Sequence, residues 1–151
     1  MVQRMNTTSI PGFWSRVLVP TDFSEASLAG LRAASDWQRQ TKGLVLLLHV
    51  TEPALEGLRI QTAELHHAAE EAAEQRLRSL VQEHFSHPEN VTVLVRAGNP
   101  ADVICRTAAD EEAGVILMPT HGRTGLGHLL LGSVAEKVVR QAPCSVLVVR
   151  G

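Results

Sequence analysis

The stretch Val115–Val139, VILMPTHGRTGLGHLLLGSVAEKVV, decides the fold. Val115 to Met118 form a short apolar run of the kind that fills a buried strand, and Pro119 closes it. A glycine-spaced segment comes next, holding Gly122, Gly125, Gly127 and Gly132. Ser133 then opens an amphipathic segment with Val134, Ala135, Val138 and Val139 on one face. The reading is strand, loop, helix. Such a loop delivers backbone N–H groups and the positive end of a helix dipole to one point, which favours anions and phosphate above all.

Two phosphate motifs are tested directly against the loop. A P-loop needs a lysine and a hydroxyl after its second glycine, but Gly127 and Gly132 enclose four residues and are followed by Ser133 and Val134. A dinucleotide fingerprint needs a third small residue three positions after Gly127, where Leu130 stands. What remains is Gly122, nine residues, Gly132 and Ser133, a pattern that resembles the nucleotide-binding loop of the universal stress protein family. The resemblance extends to Val17–Ser24 (VLVPTDFS), to Leu46–Val50 (LLLHV) and to Ala142–Arg150 (APCSVLVVR), in the family's order, and so covers the chain from Arg16 onward. One departure stands out: the family has a further glycine three residues before Gly122, where this chain has Pro119.

A chain of 151 residues with 44% hydrophobic content suffices for one domain with a sizeable core. Fourteen Lys and Arg against sixteen Asp and Glu leave a net charge of −2 without basic blocks, so no global field attracts nucleic acid or a membrane surface. Cys105 and Cys144 are the only cysteines, and Cys105 shares an apolar helix face with Ala101, Ile104 and Ala108, which predicts a buried structural thiol rather than a disulfide framework. Residues 1–15 read as a flexible N-terminal tail, and 16–151 as the domain. No signal-like or membrane-spanning apolar stretch is evident, so the expected location is cytoplasmic.

In chain order, Arg16–Pro20 is the first strand, and Ser24 is the expected cap of a helix carrying Gly30, Leu31, Ala34 and Trp37, with Gly43 at its left-handed C-terminal cap. Asp22 thus falls at the carboxyl end of a strand, where open α/β sheets bind ligands. Leu44–Val50 is the second strand. Arg59 to about Phe85 is helical by period, with Leu65, Ala69, Ala73, Leu77 and Leu80 on one face. Val91–Arg96 is a third strand, and Asn99 with Pro100 marks the start of a helix that ends near Glu112. The last helix stops at Pro143, and Ser145–Arg150 closes the alternation of five strands and four helices. Right-handed crossovers of this kind build a three-layer α/β sandwich around a parallel sheet.

The resemblance implies the strand order 3-2-1-4-5, which opens a crevice between the ends of strands one and four. It further implies that Pro20, Thr21 and Asp22 line the adenine and ribose end, that Val50 meets the adenine through its backbone, and that Met118 packs under the ribose. Gly122, Gly132, Ser133 and Val134 would offer N–H groups to the phosphates. Asp22 is equally a residue type that closes local turns, and Ser133 one that caps helices. A helix N-terminus supplies about half a positive charge against the roughly four negative charges of metal-free ATP. Mg²⁺ or Mn²⁺ on the phosphates, with Arg123 and His128 nearby, would make up the difference, although Arg123 also reads as a solvated loop residue. Proline at 119 removes an N–H, and if that donor met the ligand, its loss costs about 1.5–3 kcal/mol.

His121 is the sole acid–base candidate beside the phosphates and has no evident partner base, so binding, with at most a slow ATPase activity, is the expected role. His66 and Glu70 share a helix face, too few ligands for zinc. His84 and His87 sit near a helix end, where protonation favours the dipole. Ser145–Val149 is an apolar strand at the expected sheet edge, and the family commonly pairs its last strands, which implies a homodimer. The sequence therefore reads as a stress-response regulatory protein that binds ATP with a divalent cation, the alternative being a nucleotide-free homodimeric interaction module.

Overall fold

Unbroken apolar runs mark the strands of the sheet; one of them, Val146–Val149, takes an edge, and three others become the three central strands. In the computed structural model, which describes residues 14–52, 62–120 and 131–150, these are β1 (Arg16–Pro20), β2 (Leu44–Thr51) and β4 (Val115–Pro119). They are buried almost throughout. The edges are β3 (Val91–Ala97) and β5 (Ser145–Val149), which have no fully buried residue. The sheet is parallel with order β3-β2-β1-β4-β5, as the resemblance implied.

Alternation along each central strand builds two cores. Val17, Val19, Val45, Leu47 and Leu117 face α1 (Ser27–Thr41) and α2 (Thr62–His84), meeting Leu31, Leu77, Val81 and Phe85. Leu18, Leu46, Leu48, Ile116 and Met118 face α3 (Pro100–Asp110) and α4 (Ser133–Gln141), meeting Ile104, Ala108, Ala135 and Val138. The α3 start is as expected: Asn99 Oδ1 accepts from the Asp102 amide at 3.5 Å, with Pro100 in the first turn.

Several local expectations are corrected. The Ser15 carbonyl accepts a hydrogen bond from the Leu44 amide at 3.0 Å, just before β1. Ser24 does accept from the Ser27 amide, at 3.3 Å, but across a lead-in turn; Ala26 is the residue at the helix boundary and makes no side-chain cap. The left-handed cap of α1 is Lys42, with φ 57°, while Gly43 is needed for space: a Cβ there would lie 2.1 Å from Trp37 Cη2. In α2 the apolar stripe is buried at Ala73 and Leu77, whereas Leu65 and Ala69 are exposed. Gly132 is the N-cap of α4 and Ser133 its first residue. Only Ala135 and Val138 are buried there, Val134 and Val139 being exposed. Cys105 and Cys144 are half-buried free thiols, not core residues. His67, beside His66 on α2, lies 3.2 Å from Glu71 one turn on. His84 and His87 face Glu83 and Glu89. Gly122, Arg123, His121, His128 and residues 1–13 lie outside the described residues.

Candidate functional site

Parallel strands all end at the same rim of the sheet, so the turns and helix starts after them gather there. β1 and β2 stay paired through Pro20 and Leu48, whereas the pairing of β1 with β4 spans only Val17 with Val115 and Leu18 with Ile116. The two strands therefore part toward their carboxyl ends. A cavity of about 560 Å³ occupies the gap, within the range that holds small ligands.

Pro20, Thr21 and Asp22 line it from β1 and the turn after it, Val50 from β2, and Met118 from β4. On the far side, Gly132, Ser133 and Val134 line it from the start of α4. Eight of the ten expected positions thus share one cavity, residues 22 and 132 meeting across it from distant parts of the sequence; Gly122 and Arg123 are the other two. Sequence reasoning missed the wall supplied by Pro100 and Ile104 of α3 and the lip formed by Glu52 and Thr120. A signal existed, since the well-marked helix start at Asn99 comes after the carboxyl end of β3 at the same rim.

The turn between β1 and α1 is fixed by its own polar groups. Asp22 Oδ1 accepts from the Ser24 amide at 3.0 Å and from Ser24 Oγ at 2.5 Å, so this carboxylate closes a turn while lining the cavity. Phe23 N–H donates to Thr21 Oγ1 at 3.1 Å, and Thr21 Oγ1 pairs with Ser27 Oγ at 2.9 Å. Because Ser27 Oγ donates to the Ser24 carbonyl at 2.7 Å, its partner Thr21 Oγ1 is the donor in that pair. His49 Nδ1 lies 2.8 Å from the Thr21 carbonyl, which can only accept, so the proton sits on Nδ1.

At the opposite wall, the first intrahelical bond of α4 runs from the Glu136 amide to the Gly132 carbonyl at 2.8 Å. The amides of Ser133, Val134 and Ala135 precede it and carry the positive end of the helix dipole. Gly132 differs from expectation: its own amide donates to the Thr120 carbonyl at 2.8 Å and spends on the chain the donor assigned to phosphate. Pro119 ends β4 with its ring toward α1, where a Cβ on Gly30 would come within 3.6 Å of Cδ. Thr120 donates sideways to Val149 of β5, so position 119, pointing the other way in the strand, turns toward β1 and the crevice with no N–H to offer. Pro119 is among the residues that line the cavity.

The model of the Universal stress protein family matches residues 14–150. The chain belongs to this family. It is 29% identical over 154 residues to universal stress protein MJ0577 of Methanocaldococcus jannaschii, covering 91% of this chain and 95% of the relative. The solved structure of MJ0577 superposes with a TM-score of 0.82 at 30% identity, over 92% of this chain and 97% of that one. Two more distant family structures share the fold. One, in complex with cAMP, has a TM-score of 0.62 at 20% identity over 91% of this chain and 97% of its own. The other, from Archaeoglobus fulgidus in complex with dAMP, has 0.56 at 21% identity over 91% and 98%.

Proposed function

We propose that this universal stress protein binds an adenine nucleotide, ATP with Mg²⁺ or Mn²⁺ on its phosphates, in the crevice between the carboxyl ends of β1 and β4, and acts as a stress-response regulator. The observation that carries the reading is the single cavity of about 560 Å³ with Asp22 on one wall and the N-terminus of α4 on the other. One wall suits the hydroxyls and ring nitrogens of a nucleoside, the other suits phosphate. Family members solved with cAMP and dAMP support an adenine ring as the occupant.

The residues present fit the ligand in kind. Asp22 would accept from ribose hydroxyls, Pro20, Thr21 and Val50 would bound the base, and Met118 would lie under the sugar. The amides of Ser133 and Val134 and the Ser133 hydroxyl would face the phosphates, with Gly122 and Arg123 assigned to the same end. Gly132 would contribute its amide only by leaving Thr120. The bound cation would neutralise phosphate charge that one helix dipole cannot match. The same reading assigns the protein to the cytoplasm and to binding rather than catalysis. Isothermal calorimetry with millimolar Mg·ATP tests it. Heat above dilution with one site per chain is expected, and its absence overturns the proposal.

A second reading, a homodimeric interaction module, is favoured by β5. Leu147 is 46% exposed on a strand that forms the sheet's edge, an arrangement that invites a second strand. The two readings are separable, since an obligate interaction module would form a tight dimer with an empty crevice.

A further inference from the structure

Among the described residues, Phe23, Lys42 and Glu112 are the non-glycine residues with positive φ. Lys42 caps α1, and Glu112 comes just after the cap of α3, places where a left-handed residue is an ordinary way to stop a helix. Phe23, with φ 64°, ends no helix. It lies beyond β1, directly after Asp22. A bulky residue keeps such a backbone only where its surroundings over-determine it, and such places gather at functional sites.

The surroundings of Phe23 are specific. Its ring centroid lies 4.2 Å from that of His49, tilted by 33°, and the guanidinium carbon of Arg76 stands 4.5 Å from its centre. Arg76 belongs to α2, and Phe23 packs with the α1 and α2 core, across the sheet from the α3 and α4 side that walls the crevice. His49 in turn holds the Thr21 carbonyl, and the Phe23 amide holds Thr21 Oγ1. Arg76 and His49 therefore hold Phe23, His49 and Phe23 hold Thr21, and the residue between Thr21 and Phe23 is Asp22.

We infer that Phe23 is the positioning residue for the Asp22 carboxylate, held in its left-handed conformation by its contacts with the cation of Arg76 and the ring of His49. Seating of α2 is thereby coupled to the crevice, because loss of the cation loosens the turn in which Asp22 is bonded to Ser24. The ligand consequence rests on the proposed nucleotide reading; the consequence for the turn does not.

The full chain with Arg76→Met tests this, since methionine keeps an apolar body over the ring and removes the charge. Arg78→Met is the control: it deletes a guanidinium from the same helix, one that pairs with Glu74 and not with Phe23. Hydrogen exchange of the Ser24 amide, which donates to Asp22, is monitored by NMR without nucleotide, with the Leu47 amide as a core reference. Arg76→Met is expected to speed Ser24 exchange about two- to fivefold and to weaken Mg·ATP binding by a similar factor, the size of an exposed cation–π contact. Arg76→Lys restores most of both, Arg78→Met changes neither, and Leu47 exchange is unaffected. In an Asp22→Asn background the affinity effect of Arg76→Met disappears. Unchanged Ser24 exchange, or an affinity loss that persists undiminished in Asp22→Asn, overturns the inference. If the unmodified protein gives no heat with Mg·ATP, the nucleotide proposal falls, and Ser24 exchange alone decides whether the stack positions the turn.

Discussion

Pro119 shows how much one residue settles. Placed at the end of β4 and turned toward β1, it withholds a donor from the crevice while its ring packs toward Gly30 of α1. Restoring the amide by Pro119→Gly is expected to tighten Mg·ATP binding about ten- to hundredfold, the worth of one charge-assisted bond, as read by calorimetry. Unchanged or weaker binding would show that the missing donor was never needed. The cysteines make a second test at this scale. Burial, joined by the Asp102 carboxylate against Lys137, pushes the Cys105 thiol up; burial also raises Cys144, opposed by its hydrogen bond to the Ile116 backbone and reinforced by Cys105. A raised pKa lowers the thiolate fraction at any given pH. Both residues should therefore alkylate with iodoacetamide more slowly than free cysteine near neutral pH, and their rates should go on climbing above the ordinary thiol range. Rates matching free cysteine at neutral pH would contradict that burial.

Among the elements, α1 depends on a contact that spacing alone misreads. Gly43 has the composition of a left-handed cap, yet Lys42 takes that conformation, and Gly43 is a glycine because the Trp37 indole covers it. Gly43→Ala is expected to cost about 1–3 kcal/mol through overpacking, visible as a lower urea midpoint with a shift in tryptophan emission. A neutral substitution would mean the indole moves aside freely. Periodicity put Leu65 and Ala69 on the same face of α2 as Ala73 and Leu77, yet only the latter two are buried, because an amphipathic pattern reports which face is apolar and not how much of it is covered. In α4 the same limit applies: Val134 and Val139 share the apolar face with Ala135 and Val138, but only the latter two are buried. Ser133 was legible as a helix start, but whether a serine caps or merely opens a helix depends on one residue's backbone angles, and Gly132 holds the capping position.

For the whole molecule, the edge at β5 sets the expected state of association. Light scattering at micromolar concentration should report a dimer, and Leu147→Lys, which places a charge on the exposed apolar edge, should shift it to monomer. A monomer in the unmodified protein would sink the edge argument. The amino-acid order by itself determined the alternation of strands and helices, and that an acid and a glycine loop come after strand ends; the strand order came only from the family resemblance. Those features are local: a strand or helix period shows itself within one element, and a turn residue declares itself within a few positions. Tertiary structure alone decided the rest. The divergence of β1 from β4, the α3 wall, the loss of the Gly132 amide to Thr120 and the Arg76–Phe23–His49 stack all join groups far apart in sequence. No period or motif encodes them, because each exists only once the sheet has brought its carboxyl ends to a common rim.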